Sequence, residues 1–389
     1  MTGNLVNIAV SGASPGGSGP GLGSAPAAIL HRFAEAGYDR VEPPLLQDAA
    51  TFLDLGGEDI RARLFLTTDA NGAELCLRPE YTIPTARAYL ASPQAGRPAG
   101  YSYCGPVFRL RQGASGESVQ AGLESFGRGD IAAADAEILA LALEAVDRSG
   151  TAVSRITLGD AGLVSALLDA VALPALWRRR LKRALEKGLT LDAALRGAPT
   201  RSSEHSGLLA ALAGADGRDA HSFVEDLLSI AGIATVGGRS VGEIADRFLS
   251  QVADGAVPVI GDERRAVLDQ FFAVSGDPDC ASGALRTLAR DAGLDLDRAL
   301  DLFDERTGFI AAQGVDLSLL GFRTAFTRNL DYYTGFVFEA HASEPSDAGR
   351  NGPVTGGGRY DRLAQALGSR EAIPAVGAAI WLDRLETRS

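Results

Sequence analysis

Residues 322–341 read FRTAFTRNLDYYTGFVFEAH, and this stretch marks a return to strand-forming composition near the end of the chain. Its aromatic and β-branched residues are the types that are enriched in β-strands. The segment TGGGRYD follows at 355–361, and AVGAAIWLDRLETRS follows at 375–389. We expect the last of these segments to form a terminal helix.

The stretch before it has a different composition. From about 160 to 320 the chain is rich in Ala, Leu and Asp, and its apolar residues recur at helical spacing. Before that region, residues 64–80 predict a hairpin, because the runs LFLTTD and AELCLRPE flank an Asn71-Gly72 turn. Two more strands are predicted within residues 100–127.

The order β-rich, helical, β-rich predicts one discontinuous α+β domain. Runs of strands that do not alternate regularly with helices favour an antiparallel sheet flanked by helices. We assign residues 1–160 and 320–389 to this core and residues 161–319 to a mostly helical insertion.

The first predicted helix begins near Ser24, a good capping residue, with Pro26 in its first turn and Ile29 and Phe33 at helical spacing. The preceding residues 11–24, SGASPGGSGPGLGS, are dense in glycine. A phosphate loop would need a Gly-Lys-Ser/Thr ending, and no lysine is present there. A flexible lead-in is the favoured interpretation.

Composition limits the classes of function. The chain has 389 residues, and its formal net charge of -12 repels phosphate backbones, which disfavours nucleic-acid binding. Its 3 cysteines are not spaced as Cys-x-x-Cys, so neither a disulfide framework nor a zinc site is expected. No signal peptide or membrane span is recognisable, and the cytoplasm is the expected location.

Polar clusters lie within the predicted strands, where buried charge is costly unless it is paired. They are Arg78-Pro79-Glu80-Tyr81-Thr82, Phe108-Arg109-Leu110-Arg111, the pair Gln120 and Glu124, and Arg328-Asn329-Leu330-Asp331-Tyr332-Tyr333. Each has a plain structural interpretation: a salt bridge, a solvated strand face, or one core ring beside one surface ring. Gln120 and Glu124 are four residues apart, so they share one face of a strand.

Together the clusters contain what a pocket for a small zwitterion requires. Carboxylates can hold an ammonium group, and an arginine fork can hold a carboxylate. The acceptors are Glu80, Thr82, Gln120 and Glu124, the forks are Arg109 and Arg328, and the hydroxyl belongs to Tyr332 or Tyr333. The residues alone leave the identity of this amino-acid-like ligand open.

Six segments, taken in order, resemble the catalytic core of histidyl-tRNA synthetase, a class II synthetase fold. They are LRPEYT, GPVFR, QAGLESFG, RNLDYYTGFVFE, GGGRYD and AVGAAIWLDRL, from Leu77 to Leu385. The resemblance implies that Glu80, Thr82 and Gln120 hold the α-amino group of histidine. It further implies that Glu124 and Tyr333 hold the imidazole and that Arg109 and Arg328 approach the carboxylate.

The departures from that family concern ATP and tRNA. Arg111 stands where the family has a glutamate that meets adenine, and Trp381 stands where a glycine lets ATP approach the backbone. Arg384 still matches the family's arginine in this last motif. The sequence ends at Ser389, whereas the synthetases continue into an anticodon-binding domain of about one hundred residues.

A kept histidine pocket with an impaired ATP site resembles the family of ATP phosphoribosyltransferase regulatory subunits. That resemblance implies a short-form catalytic partner, feedback control by L-histidine, and a homodimer within a hetero-oligomer. It implies no catalytic residue, cofactor, metal, nucleic acid or membrane. Two alternatives stay open: a synthetase-like enzyme that forms an aminoacyl-adenylate, and an RNA-binding scaffold.

Three further features favour structural interpretations. The basic run Arg178–Arg183 is expected to be a solvated helix face rather than an RNA patch. The run Gly356–Gly358 has no following lysine, which favours a tight turn over a phosphate loop. The histidines are scattered, which indicates neither a metal cluster nor a catalytic triad.

Overall fold

A computed structural model describes residues 25–110, 116–186, 191, 193, 235–236, 239–240, 260–327, 332–342 and 352–385. The predicted lead-in at 11–24, including the helix cap Ser24, lies outside these residues. The helix predicted to follow Ser24 is confirmed. No helix of the described chain is both long enough and apolar enough to cross a bilayer.

Most strands of the described chain lie at residues 39–160 and 320–381, with three two-residue strands between them. They are β1 (Asp39–Arg40), β2 (Leu46–Asp48), β3 (Leu66–Thr68), β4 (Glu74–Leu77), β5 (Ala99–Phe108), β6 (Glu117–Phe126), β7 (Val153–Asp160), β8 (Thr235–Val236), β9 (Arg239–Ser240), β10 (Ser275–Gly276), β11 (Leu320–Arg323), β12 (Phe336–Ala342), β13 (Thr355–Arg359) and β14 (Ala375–Trp381).

Five of the described α-helices lie between β7 and β11, and the others lie before β7 or after β11. They are α1 (Ala25–Glu35), α2 (Ala49–Arg61), α3 (Thr82–Ala91), α4 (Ile131–Arg148), α5 (Ala161–Ala170), α6 (Ala175–Glu186), α7 (Asp262–Ala273), α8 (Pro278–Asp291), α9 (Asp297–Ala312) and α10 (Leu363–Ala366). Short 3-10 turns span Leu317–Leu319 and Leu382–Arg384.

Nine of the described strands form one sheet in the order β1-β5-β6-β14-β13-β12-β7-β11-β10. Most neighbours are antiparallel, as predicted, but β1 pairs with β5 and β11 pairs with β7 in parallel. The order places β6 from the first half of the chain beside β14 from its end. The two halves of the sequence therefore complete one sheet.

The predicted hairpin is confirmed in a smaller sheet, in which β4 pairs with β2 and β3. Gly72 in its turn has φ = +86°, a conformation that glycine adopts without strain. This hairpin leads directly into α3 and so sets the position of Glu80.

One face of the large sheet is covered by α4, which packs on β6, β13 and β14 and is flanked by α1 and α9. The helix is rich in buried alanines, which let its backbone approach the strands closely. The opposite face carries a second apolar cluster in which Tyr89 of α3 stacks on Phe126 of β6, with ring centroids 4.6 Å apart.

Contacts divide the chain into two compact units, residues 1–170 with 270–389 and residues 171–269. These bounds differ from the predicted insertion at 161–319. Helices α8 and α9 belong to the unit that contains the sheet: α9 packs on α4 and buries Leu300, Phe303 and Ile310. In the other unit, α6 buries Trp177, Leu181 and Leu185.

Two predicted elements near the end of the chain are wrong. Residues 375–381 form strand β14 rather than the start of a terminal helix, and a 3-10 turn follows at Leu382–Arg384. The run Gly356–Gly358 lies inside strand β13 rather than in a tight turn. A Cβ on Gly357 would lie 2.1 Å from the carbonyl oxygen of Gly377, so these glycines permit a crowded strand pairing.

Candidate functional site

The centre of the candidate site is Glu124 on strand β6. Residues 120, 122, 124 and 126 share one face of this strand, and Gln120 and Glu124 are only 3% and 1% exposed. Gly377 of β14 is directly opposite Glu124, and a Cβ there would lie 1.6 Å from Oε2 of Glu124. The carboxylate therefore occupies space that only a glycine leaves open.

Two tyrosine hydroxyls donate hydrogen bonds to this carboxylate. Tyr103 of β5 donates to Oε1 at 3.1 Å, and Tyr360, just after β13, donates to Oε2. Both rings are buried. Gly122 makes the first contact possible, because a Cβ there would lie 2.4 Å from the Tyr103 hydroxyl. Sequence reasoning missed both tyrosines, although Tyr360 belongs to the quoted GGGRYD segment.

Burial makes Glu124 a titrating group near neutral pH. Its removal from water raises the pKa of the carboxyl to about 8, a rise to which the charge of Glu80 adds. Hydrogen bonds from Tyr360, Thr82 and Tyr103 oppose that rise in pKa. A ligand that brings an N–H or a cation to this carboxyl would favour its ionised form and lower its pKa.

Glu80 lies at the N-terminus of α3 and caps that helix. Its Oε2 accepts from the amide of Thr82 at 2.6 Å, and its Oε1 accepts from the amide of Ile83 at 2.9 Å. Burial raises the pKa of Glu80, while the two amides and the charge of Arg109 oppose the rise. Each carboxylate oxygen has a second lone pair that an ammonium group could use.

Arg109 connects the end of β5 to the segment before Glu80. Its Nε donates to the carbonyl oxygen of Pro79 at 2.7 Å, and its amide donates to the carbonyl of Gly116 at 2.7 Å. The guanidinium is half-buried and acts electrostatically on Glu80. An ion that binds beside Glu80 would therefore be close to this positive charge.

Tyr332 and Tyr333 both pack against the apolar cluster on this face of the sheet. Their rings meet edge to face with centroids 5.0 Å apart, and Tyr332 stacks on Tyr360 at 5.3 Å. A Cβ on Gly358 would lie 2.9 Å from the Tyr333 ring. Burial raises the pKa of Tyr332, with further contributions from Glu80, Tyr333 and Glu124, so its hydroxyl keeps its proton.

These contacts bring together most of the predicted residues. The hydroxyl of Thr82 interacts with Glu80, Glu124 and Tyr332, which ties the start of α3 to the sheet. Gln120 lies farther along β6, opposite Gly105 on one side and Trp381 on the other. Arg328 and Arg111 lie outside the residues that the structure describes.

Trp381 of β14 is paired with Gln120 of β6. The indole is 7% exposed, and the guanidinium carbon of Arg384 lies 4.6 Å from the centroid of its ring. Arg384 also donates to the carbonyl oxygen of Pro353 at 2.6 Å. The arginine that matches the synthetase motif is thus engaged by the protein itself.

Comparison with known proteins identifies the family. A family model for histidyl-tRNA synthetase matches residues 24–233 and 249–385. An ATP phosphoribosyltransferase regulatory subunit from Mesorhizobium japonicum is 42% identical over 365 residues, covering 92% of this chain and 95% of that protein. The regulatory subunit from Agrobacterium fabrum is 40% identical over 364 residues, with coverage of 92% and 95%.

The chain belongs to the family of ATP phosphoribosyltransferase regulatory subunits.

Solved structures agree on the fold of this family member. A regulatory subunit/histidyl-tRNA synthetase from Bacillus halodurans aligns with a TM-score of 0.66 at 22% identity, covering 93% of this chain and 77% of that one. A histidine–tRNA ligase subunit from Alicyclobacillus acidocaldarius aligns with a TM-score of 0.57 at 27% identity, covering 96% of both chains. The predicted class II synthetase-like α+β fold is confirmed.

Proposed function

We propose that this protein is the regulatory subunit of an ATP phosphoribosyltransferase and that it binds L-histidine in the site around Glu124. The observation that carries the proposal is the buried carboxylate of Glu124 held between the hydroxyls of Tyr103 and Tyr360. A carboxyl prepared in this way suits an imidazole N–H, because it supplies an oriented acceptor in an apolar surrounding.

Histidine would make three sets of contacts in this site. Glu124 and the Tyr333 hydroxyl would take the two imidazole nitrogens. Glu80, Thr82 and Gln120 would hold the α-amino group, with Tyr332 forming part of the wall. Arg109 and Arg328 would hold the carboxylate, since guanidinium groups bind carboxylates through paired N–H donors.

The protein would contribute no catalytic residue and no cofactor to the transferase reaction. Trp381 and Arg384 support this part of the proposal, because the indole lies against the arginine where the synthetases admit ATP. Arg111 stands where the synthetases have a glutamate that meets adenine, and this change also disfavours ATP binding. The phosphoribosyl transfer at the first step of histidine biosynthesis would then belong to the short-form catalytic subunit.

Feedback control requires histidine to bind the active and inhibited complexes with different free energies. We propose that this occurs in a cytoplasmic hetero-oligomer built around a homodimer of this chain, without nucleic acid. Couplings of about 1–3 kcal/mol are typical of such regulation. Membership of the regulatory-subunit family supports the partner assignment.

Reconstitution tests the proposal. The purified chain should co-purify with a short-form ATP phosphoribosyltransferase catalytic subunit and raise its activity, and L-histidine should inhibit the complex. L-lysine, which has an ammonium and a carboxylate but no imidazole, is the matched control ligand and should have no effect. Failure of the two chains to associate, or activity insensitive to histidine, would contradict the proposal.

A further inference from the structure

A network of buried charged side chains connects helices α4 and α9 to strands β7 and β13. Arg306 of α9 donates to Asp135 of α4 at 2.8 Å and to Asp160 at the end of β7 at 2.7 Å. Arg359 of β13 donates to the other oxygen of Asp135 at 2.8 Å and to Asp361 at 2.8 Å. Four of these five side chains are almost completely buried, and Asp361 is partly exposed.

Such a network is costly to build. Desolvating each ion costs several kcal/mol, and a buried ion pair of this kind is often no more stabilising than apolar side chains of the same volume. Arg306 in addition leaves its buried Nη2 without a hydrogen-bond partner among the described residues. A contribution to the stability of the fold therefore explains these buried charges poorly. The segments that the charged side chains hold in position explain them better.

One arm of the network leads to Tyr360. Arg359 immediately precedes this tyrosine and Asp361 immediately follows it, so the Arg359–Asp361 pair holds the backbone on both sides. Asp361 also accepts from the amide of Ala375 at 2.9 Å, and the amide of Tyr360 donates to the carbonyl of Ala375 at 2.8 Å. These bonds fix the direction in which the Tyr360 hydroxyl reaches Glu124.

The other arm leads to the segment that carries Tyr332 and Tyr333. Asp160 accepts from Arg306 through Oδ2, and through Oδ1 it caps α5 by accepting from the amide of Gly162 at 2.7 Å. The neighbouring amide of Ala161 donates to the carbonyl of Gly335 at 2.9 Å. Through these contacts Arg306 helps to fix the backbone at Gly335, two residues after Tyr333.

We propose that Arg306 is a positioning residue for the histidine site, acting through Asp135 and Asp160 on the tyrosines that surround Glu124. The inference rests on the proposed function for its ligand. Arg306 itself makes no contact with Glu124 in the described structure. Arg306 fixes the distance between Asp135 and Asp160, because its planar, rigid guanidinium donates to both carboxylates. A lysine ammonium cannot fix that distance in the same way.

Arg286 provides a matched control, because it bonds to surface carboxylates of the helix that carries Arg306. It belongs to α8 and donates to Asp301 at 2.8 Å and to Asp304 at 2.6 Å, both on α9. It therefore also ties α9 to a neighbour through two carboxylates. Its partners are surface residues, and among the described contacts neither of them bonds to the buried network.

A double-mutant cycle tests the proposal by histidine calorimetry. Arg306→Lys keeps a cation between Asp135 and Asp160, and it should weaken histidine binding by roughly tenfold if it acts through the tyrosines. In a Tyr360→Phe background the same change should cost clearly less than about tenfold, because one of the hydroxyls that Arg306 positions is already gone. Arg286→Met should leave the affinity within about twofold.

A second readout needs no ligand. Near-ultraviolet difference absorbance of wild type against Glu124→Gln reports the titration of Glu124 through its tyrosine neighbours. The groups facing this carboxyl are Tyr103, Tyr360, Tyr332 and Glu80, together with the Thr82 hydroxyl. Arg306→Lys should move the titration midpoint upward, because misaligned hydroxyls stabilise the carboxylate less.

The outcomes separate this inference from the proposed function. Equal losses of affinity in both backgrounds, or an unchanged midpoint, would reduce Arg306 to a structural role. A wild-type protein that fails to bind histidine would defeat the proposed function, while the midpoint would still decide the role of Arg306. If Arg306→Lys does not fold, Arg359→Lys perturbs the arm that leads to Tyr360 and carries the same two expectations.

Discussion

Glu124 joins groups that are far apart in the sequence. Its hydroxyl donors lie 21 and 236 residues away along the chain. The four-residue spacing from Gln120 was enough to predict a shared strand face. The partners of Glu124 could not be predicted in the same way, since they depend on strand order and on the glycines that leave room for the contacts.

Replacing Glu124 tests its proposed role as the imidazole acceptor. Glu124→Gln should weaken histidine binding by about 1.5–3 kcal/mol, the usual contribution of a hydrogen bond to a charged group. Glu117→Gln, at the exposed start of the same strand, is the control and should leave the affinity unchanged. Calorimetry measures both variants, and equal affinities for wild type and Glu124→Gln would refute the imidazole contact.

The raised pKa of Glu124 predicts a pH dependence of stability. Since the folded protein holds this proton more tightly than the unfolded chain, the group favours folding at low pH. That contribution disappears as the pH rises toward about 8. The free energy of unfolding of wild type, relative to Glu124→Gln, should therefore fall by at least about 1 kcal/mol between about pH 5 and about pH 8.

Urea unfolding of the two ligand-free proteins at both pH values measures that difference. Comparing wild type with the variant cancels the titration of the other groups to first order. A difference that stays constant between the two pH values would show that Glu124 titrates in the folded protein as it does in the unfolded chain.

Among the elements of the fold, strand β14 has the most specific requirement, which is a glycine at position 377. Gly377→Ala should abolish measurable histidine binding, because the new Cβ would displace the Glu124 carboxylate from its place. Gly321→Ala is the matched control in β11 of the same sheet, where a Cβ would meet its nearest neighbour at an ordinary 3.9 Å. Undiminished binding by Gly377→Ala would mean that the site does not need Glu124 in this position.

The elements that sequence reasoning predicted well have strong local signals. The Asn71-Gly72 turn and the runs beside it specify the hairpin, and the two strands predicted within residues 100–127 match β5 and β6. The terminal helix was wrong because a short apolar run such as 375–381 fits a buried strand as well as a helix. The glycines of β13 were wrongly predicted to form a tight turn. They are needed because neighbouring strands leave no room for a Cβ, and the local sequence does not reveal that crowding.

For the whole molecule, composition and the order of motifs predicted the fold class. The sheet joins β6 to β14, which explains why two β-rich segments flank a helical one. The bounds of the compact units were harder to predict, since α5, α8 and α9 have the same helical texture whichever unit they join. Only their buried faces decide where they pack.

The loss of adenylate chemistry is a prediction about the whole ATP site. Trp381→Gly alone should not produce histidine-dependent pyrophosphate exchange, because Arg111 would still oppose adenine. Histidine binding by the same variant is the control that the protein remains folded and competent. Exchange in this single variant would show that Trp381 alone blocks the activity and that the second motif matters less than we infer.

Histidine binding can be measured by titrating the purified protein with L-histidine in a calorimeter, with the short-form catalytic subunit present. We expect saturable binding to wild type that is lost or greatly weakened in Glu124→Gln. A flat trace for wild type in the presence of the partner would refute the proposed histidine site.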